Sequence, residues 1–429
     1  MMHILHITAH LGGGVGRVLS RLVEHSARQG GTLRHTVICL APLEKRQFAD
    51  MVAATGGELL IRPSRTILEK CIRQADIVQL EWWHHPAVTA LLGSGIHISM
   101  RLLIWSHVSG LHTPALTPDF VALPSRFLFS SSCSANAQHL ASLSEEVRQR
   151  TATVFSSGGF EDFPLPPKRS DNTTPRIGYI GSLTPAKLHP AFLDFVDSIN
   201  DPSIKIDLIG DDAPGRALMA AAEKRDLADK LLLCGYRTNV ADILSQLDIL
   251  AYVLNPRHYG TTENALLEAM ALGVVPVVLN NPAECCLVDH NRTGMIIESP
   301  TDFGETIDFL SKNPLTRLSM STEAARTVRE RFAIDATHRA LLTHYTALMG
   351  EEKRSYDFRS ILGKEPADWF LSAQGDEARR FKEDGSVDCA GELPHALREQ
   401  SKGSVFHYAR HFPYDKRLAS WAANIPPLP

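Results

Sequence analysis

Several stretches of the chain combine residue types that act on ligands. GGGVGRV, at residues 12–18, joins an apolar run to a helical pattern. Without Cβ atoms such a backbone approaches a ligand closely, and the first N–H groups of a helix carry partial positive charge suited to phosphate or to sugar hydroxyls. A tight turn that only lets strand and helix pack would use the same glycines. A dinucleotide site would also need an acid closing the second strand, and that strand, HTVICL, ends in apolar residues. In TTENALLEAMALGVVPVV, residues 261–278, Thr261 and Thr262 can cap a helix that begins near Thr262, Glu263 complements its dipole, and Gly273 stops it. Glu268 falls among Leu266, Leu267, Ala269 and Met270, where a solvated face is not expected, so it is assigned a specific hydrogen-bonding task. QLEWWHHP and LLIWSH place His84, His85 and His107 at strand ends, the edge at which open parallel sheets bind ligands. Trp82, Trp83, His84 and His85 suit a saccharide, since aromatic faces pack on sugar rings and imidazoles bond hydroxyls; packing between domains would use them equally. Asp211 and Asp212 follow a strand, and two acids there read as a helix-capping turn rather than a metal pair.

The elements that must position these residues alternate in a regular way. HILHIT, HTVICL, ADIVQLEW, LLIWSH and FLFSSS are strand candidates separated by helical patterns, with Val15, Val18, Leu19 and Leu22 at helical spacing in the first. EDFPLPPKRSDNTTP, residues 161–175, has no periodicity and reads as a linker. RIGYIGSL, KIDLIGDD, LLLCGYR, DILAYVL and VVPVVLNN then restart the alternation, which predicts a second parallel sheet. The expected division is a Rossmann-like domain over 1–165, a second over 176–335, a helix over 336–350 returning towards the first, and an extension over 351–429. The extension is charged and weakly periodic, and its aromatic and basic end, SKGSVFHYARHFPYDKRLASWAA, is expected to pack on something.

Bulk properties narrow the class. A chain of 429 residues is too long for one ordinary core. The net charge of -4 and the lack of a long Lys/Arg block argue against nucleic acid as a ligand. Seven cysteines with no CxxC pair read as reduced, small, buried residues of a cytoplasmic protein. No apolar stretch approaches the roughly 20 residues that span a bilayer, so any membrane contact, at the inner face, is expected to be peripheral.

The stretch Glu268 to Val278 resembles the retaining GT-B glycosyltransferases of the family four type, whose signature is a Glu, seven residues, and a second Glu in an EAMA-like helix followed by GxPVV. The resemblance implies an α/β GT-B fold, two Rossmann-like domains facing across a cleft, here with a C-terminal helical and loop extension. It assigns Glu268 to the ribose of a nucleotide and the amides of Thr262, Glu263 and Asn264 to the sugar and diphosphate. The first Glu of the signature falls on Gly260, a departure; Glu263 is the substitute carboxylate near the sugar or only a helix-start acid. In RIGYIGSLTPAK, Ser182 stands where the family has an Arg, and Lys187 keeps the Lys that neutralises the diphosphate. Gly235, Tyr236 and Arg237 are placed beside the base, Gly13 and Gly14 among the donor contacts, and His107 opposite the donor sugar and acceptor. Trp82, His84 and His85 are assigned to the acceptor.

The implied reaction moves a sugar from a UDP- or GDP-sugar, a substrate and not a cofactor, to a hydroxyl of a saccharide or lipid-linked acceptor with retention, in polysaccharide or glycoconjugate assembly and without a metal. Two rivals stay open: a nucleotide-sugar epimerase of the same architecture, and a non-catalytic donor-binding partner of another transferase. A dehydrogenase has only the glycine loop in its favour. Base, sugar, acceptor and oligomeric state are not legible in the residues.

Overall fold

A computed structural model describes the chain except residues 31, 44, 168–173, 401–402 and 427–429. The linker expected over 161–175 therefore lies partly outside the described residues. The chain divides into two compact units: Met1–Gly159 with Tyr259–Thr262 and Ile334–Leu428, and Phe160–His258 with Glu263–Ala333.

The first unit is built on seven parallel strands: β1 (Met2–Thr8), β2 (Leu33–Cys39), β3 (Glu58–Ile61), β4 (Ile77–Trp82), β5 (Leu102–Ser106), β6 (Arg126–Phe129) and β7 (Thr151–Thr153). Their order is β3-β2-β1-β4-β5-β6-β7. The second unit has six: β8 (Ile177–Ile180), β9 (Ile206–Ile209), β10 (Leu231–Leu233), β11 (Ile249–Tyr252), β12 (Val275–Leu279) and β13 (Met295–Ile297), ordered β10-β9-β8-β11-β12-β13, again all parallel. Each sheet reverses its winding once, between β1 and β4 and between β8 and β11, and the loops at the carboxyl ends of such neighbours are where an open α/β sheet receives ligands. Strands β3, β7 and β13 went unread in the sequence because they are three or four residues long and lie at or next to a sheet edge, where one face or neighbour is missing and no long apolar run is needed.

Parallel strands covered on both faces are apolar along their length, and β4 is buried at every position. The helix Gly13–Arg28 follows β1 directly and buries Val18, Leu19, Leu22 and Val23, as its spacing predicts, with Val15 half-buried. Gly16 is required for that docking: a Cβ there would lie 2.7 Å from the Leu11 carbonyl carbon and from Phe48 Cδ2. Gly273, at φ +72°, ends the helix Asn264–Ala271 in the left-handed conformation that glycine supplies at no steric cost.

The extension belongs to the first unit. Its Tyr356, Phe358, Trp369, Phe370, Phe381, Tyr408, Leu418 and Trp421 share one apolar cluster with Leu80, Trp82, Val88, Leu92 and Phe120. Three polar ends that the extension brings to this cluster are satisfied: Tyr408 OH lies 2.6 Å from Thr89 Oγ1, Tyr356 OH 2.7 Å from Ser125 Oγ, and Trp421 Nε1 donates to the Lys382 carbonyl at 2.9 Å. The helix Ile334–Met349 packs elsewhere in the same unit, with Leu341, Tyr345 and Leu348 against Val18, Leu22 and Trp105.

Among the described residues no helix is long and apolar enough to cross a membrane. No disulfide joins the seven cysteines, but the expectation that they are buried holds only for Cys39; Cys389 is exposed and the others are half-buried. Packing does not need a thiol at those positions, and spacing alone could not tell them apart.

The seat of the extension yields a stability prediction. A Cβ on Gly93 would sit 2.5 Å from Trp369 Cε2 and Nε1, and this rigid ring is held by a bond from Nε1 to the Gly363 carbonyl at 3.1 Å. Gly93→Ala is expected to lower unfolding stability by about 1–3 kcal/mol, the usual cost of overpacking. Urea melts followed by tryptophan fluorescence check this, and an unchanged midpoint would show that the ring yields.

Candidate functional site

In the first unit the loops after β1, β4 and β5 enclose a cavity of about 570 Å³ at the point where the sheet reverses. His10, Gly12, Gly13 and Gly14 come from the end of β1, Trp83 and His85 from β4, His107 from β5, and Tyr259, His407 and Arg410 from distant segments. The glycines let the chain hug this space. A Cβ on Gly12 would meet His10 Nδ1 at 2.8 Å, and Gly13 has φ +56°. Tyr259 is fixed through its carbonyl, which accepts from Ser109 N at 2.9 Å.

Beneath the cavity lies Glu81, fully buried in the interior of β4. Its Oε2 receives His107 Nε2 at 2.6 Å, its Oε1 receives Gln79 Nε2 at 2.7 Å, and His6 Nδ1 stands 3.5 Å from Oε1. Burial by itself would raise this carboxyl, but His107 and His6 outweigh it and bring the pKa down to about 2. With Nε2 committed to the carboxylate, Nδ1 of His107 has no hydrogen-bond partner among the described residues. The His107 side chain is 5% exposed and lines the cavity. A buried carboxylate that orients an imidazole in this way leaves the other ring nitrogen free to bond a ligand hydroxyl.

The second unit carries its own polar cluster where β8 and β11 end. Lys187 Nζ donates to both oxygens of Glu263, at 2.6 and 2.7 Å, and Tyr252 OH donates to Glu263 Oε2 at 2.7 Å. His258 bridges two carboxylates, with Nδ1 3.7 Å from Glu263 Oε1 and Nε2 3.2 Å from Glu284 Oε1. Backbone bonds tie the two loops together: Asn255 N donates to the Lys187 carbonyl at 2.8 Å and His189 N to the Val253 carbonyl at 3.0 Å. Burial would raise the Glu263 carboxyl, yet the Lys187 ammonium and His258 hold it well below the usual carboxylate range. His258, Glu263 and Glu284 each offer a ligand atom within 4.8 Å of the others. A dication there would sit against the Lys187 ammonium that already occupies both Glu263 oxygens.

The residues singled out in the sequence fall into three groups. His85, His107, Gly13 and Gly14 line the cavity of the first unit. Glu263 and Lys187 meet in the second, while Ser182 is half-buried beside them in the chain, with Oγ 3.2 Å from Thr184 Oγ1. Asn264 and Glu268 are half-buried on the helix Asn264–Ala271; Gly235, at φ +71°, and the exposed Tyr236 and Arg237 form the turn after β10.

Several expectations need correction. Trp82 is 2% exposed, with its ring 4.3 Å from Phe120, so it is core and offers no face to a sugar. His84 is fully buried at φ +58°, with Nε2 3.1 Å from the Trp369 carbonyl, and it secures the extension. Trp83 lines the cavity instead. The helix begins at Asn264 and not near Thr262: Thr262 Oγ1 donates to the Ser130 carbonyl at 2.6 Å, Thr261 Oγ1 accepts from Ser130 Oγ at 2.8 Å, and Glu263 takes the cap position without a side-chain cap bond. Asp211 occupies the cap position of the helix Asp212–Glu223, but its carboxylate makes no cap bond and both acids are exposed.

Sequence reasoning missed Glu81, Tyr252, His258, Glu284, Tyr259, His407 and Arg410. Glu81 had a visible signal, a carboxylate inside the apolar run IVQLEW. The others come together only through tertiary packing.

Residues 174–313 match the family model described as glycosyl transferases group 1. No curated protein matches the sequence. Among solved structures, the chain is similar to HepE of Anabaena in complex with UDP and glucose, with 13% identity, a TM-score of 0.64, and coverage of 81% of this chain and 100% of that one. A glycosyltransferase from Rickettsia africae ESF-5 gives 14%, 0.64, 82% and 99%. Sucrose-phosphate synthase from Thermosynechococcus elongatus gives 14%, 0.60, 81% and 99%. At these identities the likeness is one of fold, and that fold is GT-B.

The Glu81 pair predicts an acid dependence of stability. A carboxyl depressed in the folded state stabilises the fold above its unfolded pKa, and that contribution is lost as pH falls through the folded pKa. For Glu81 the window runs from 4.5, its ordinary value, down to about 2, which corresponds to about 3 kcal/mol in this buried site. Glu81→Gln is expected to flatten the fall in stability across that window. Urea melts at stepped pH measure it, and an unchanged acid slope would exclude the pair as its source.

Proposed function

We propose that this chain is a retaining glycosyltransferase that takes a UDP- or GDP-sugar on its second unit and a saccharide or lipid-linked hydroxyl acceptor on its first. The observation that carries this reading is Glu268, a half-buried carboxylate among buried apolar neighbours on the helix Asn264–Ala271, inside the segment that matches the transferase family model. Such a carboxylate suits the paired hydroxyls of a ribose. The UDP held by the Anabaena protein of the same fold supports a nucleotide donor.

In this reading the acceptor hydroxyl attacks from the face that the diphosphate leaves, and a departing phosphate oxygen takes its proton. Negative charge grows on the leaving group, so fixed donors there lower the barrier. Lys187, with the amides of Glu263 and Asn264, fills that role. Its ammonium is shared with Glu263, and Tyr252 OH keeps one carboxylate oxygen occupied when Lys187 turns to phosphate. His107, oriented by Glu81, bonds a sugar hydroxyl. No metal or cofactor is assigned, and a cytoplasmic place in polysaccharide or glycoconjugate assembly, with any membrane contact peripheral, belongs to the same reading.

A second reading, a donor-binding protein without turnover, draws on Gly260, where a family carboxylate is missing, and on the pairing of Lys187 with Glu263. It predicts binding of nucleotide-sugar with no transfer and no hydrolysis.

A thermal-shift panel of UDP-, GDP- and ADP-sugars is expected to give one clear stabiliser, with Glu268→Ala weakening it at least about tenfold, the loss of a charge-assisted hydrogen bond. Unchanged donor affinity in that variant rejects the site. Glu263→Ala is expected to lower turnover more than donor affinity, read from initial rates with calorimetry alongside.

A further inference from the structure

We propose that the C-terminal extension completes the cavity of the first unit and makes it selective for a saccharide carrying one anionic substituent, a phosphate or a carboxylate. Describing that saccharide as the acceptor rests on the transferase reading above; the binding site itself does not.

The cavity has the volume of a small-molecule site, and its lining divides by chemistry. Trp83 and Tyr259 supply aromatic faces. His85 and His407, with ring centroids 4.6 Å apart, are neutral near pH 7: burial foremost, then the neighbouring histidines and, for His407, Arg410, push His85 down to about 2 and His407 down to about 4. Neutral imidazoles give and accept hydrogen bonds with hydroxyls. His107 Nδ1, buried and without a hydrogen-bond partner among the described residues, adds one more such group. This half of the lining suits a sugar ring.

The other half suits an anion. Arg410 is exposed at the cavity and bonds only the Oε1 and carbonyl oxygen of Gln400, with no ion pair among the described residues. Gly13 and Gly14 open the 16-residue helix Gly13–Arg28, are exposed, and bring no side chain between its first N–H groups and the cavity. Among the described residues no acidic one lines the cavity. The one carboxylate beneath it, Glu81, is compensated by His107 and Gln79. A guanidinium and a helix start on one cavity, with no negative charge to meet them, are jointly satisfied by an anionic group on the ligand. His407 and Arg410 both stand on the helix Val405–His411, so the charged side chain of the anion-binding half comes from the extension.

The experiment is calorimetry on the full chain with glucose, glucose 6-phosphate, glucuronic acid and inorganic phosphate, each with and without UDP. Glucose 6-phosphate, glucuronic acid or both are expected to bind at least about tenfold more tightly than glucose, a charge-assisted bond being about twice as strong as a neutral one. The two arms tell phosphate from carboxylate. Arg410→Gln is expected to remove that preference while the ligand-free melting temperature stays the same, because the side chain is exposed. His407→Ala is expected to weaken charged and neutral sugars alike. Equal affinity for glucose and both charged sugars overturns the proposal, as does a preference that survives Arg410→Gln, or inorganic phosphate binding as tightly as the sugar phosphate. Charged-sugar binding with no binding of any UDP-, GDP- or ADP-sugar in the panel above leaves this site standing and removes the transferase reading; binding of a nucleotide-sugar with no charged-sugar preference does the reverse.

Discussion

A carboxylate cannot be taken out of water unless other groups take over its solvation, and the polar architecture of both units follows from that constraint. Glu81 in the first unit is surrounded by His107, Gln79 and His6; Glu263 in the second by Lys187, Tyr252 and His258. Each carboxylate thereby fixes a neighbouring basic side chain. His107, which lines the cavity, is held by Glu81 through Nε2, and Lys187 is drawn towards the loop that leads into the helix Asn264–Ala271. In such networks removing the acid changes what its partner can do, beyond the loss of one bond.

These acids stand at or near the strand ends where each sheet reverses its winding. Two neighbouring strands there send their connections to opposite faces, and the gap between the loops is not filled by a helix. In the first unit that gap holds the histidine-rich cavity, and in the second the Lys187 and Glu263 cluster. The local sequence is adapted to the role. Glycines at 12, 13 and 16 bring the first helix close to β1, and the left-handed turn at His84 sends that ring towards the extension while Trp83 lines the cavity. The extension covers the helix Pro86–Gly93 with aromatic residues and, on the same side, contributes His407 and Arg410 to the cavity wall. One segment thus supplies both aromatic packing and part of the cavity wall.

How much of this could be read from the chain alone depends on the range of the interaction. Alternating apolar runs and helical periods report on neighbours a few residues away, so the two parallel sheets, the glycine stop at Gly273 and the placing of Glu268 on a helix were legible. So was a resemblance to a transferase family within residues 174–313, which match that family's model, because that signal is carried by runs of consecutive residues. The edge strands β3, β7 and β13 were not, since three or four residues have too few positions to show a period, whereas the equally short β10 was marked by its run of three leucines. Nor was the start of the helix at Asn264, where hydroxyls suited to capping are engaged by Ser130 and Ser156, more than 100 residues away.

Local pattern by itself determined the fold class, the number of sheets and which segment carries the transferase signature, because each is encoded in contiguous residues. Only the tertiary structure decided that Trp82 and His84 are internal while Trp83 meets the cavity, that Lys187 donates to Glu263, 76 residues away, and that the described residues of the extension belong with the first sheet. Those outcomes turn on which side chains meet after packing, and a period or a motif holds no information about partners it does not contain.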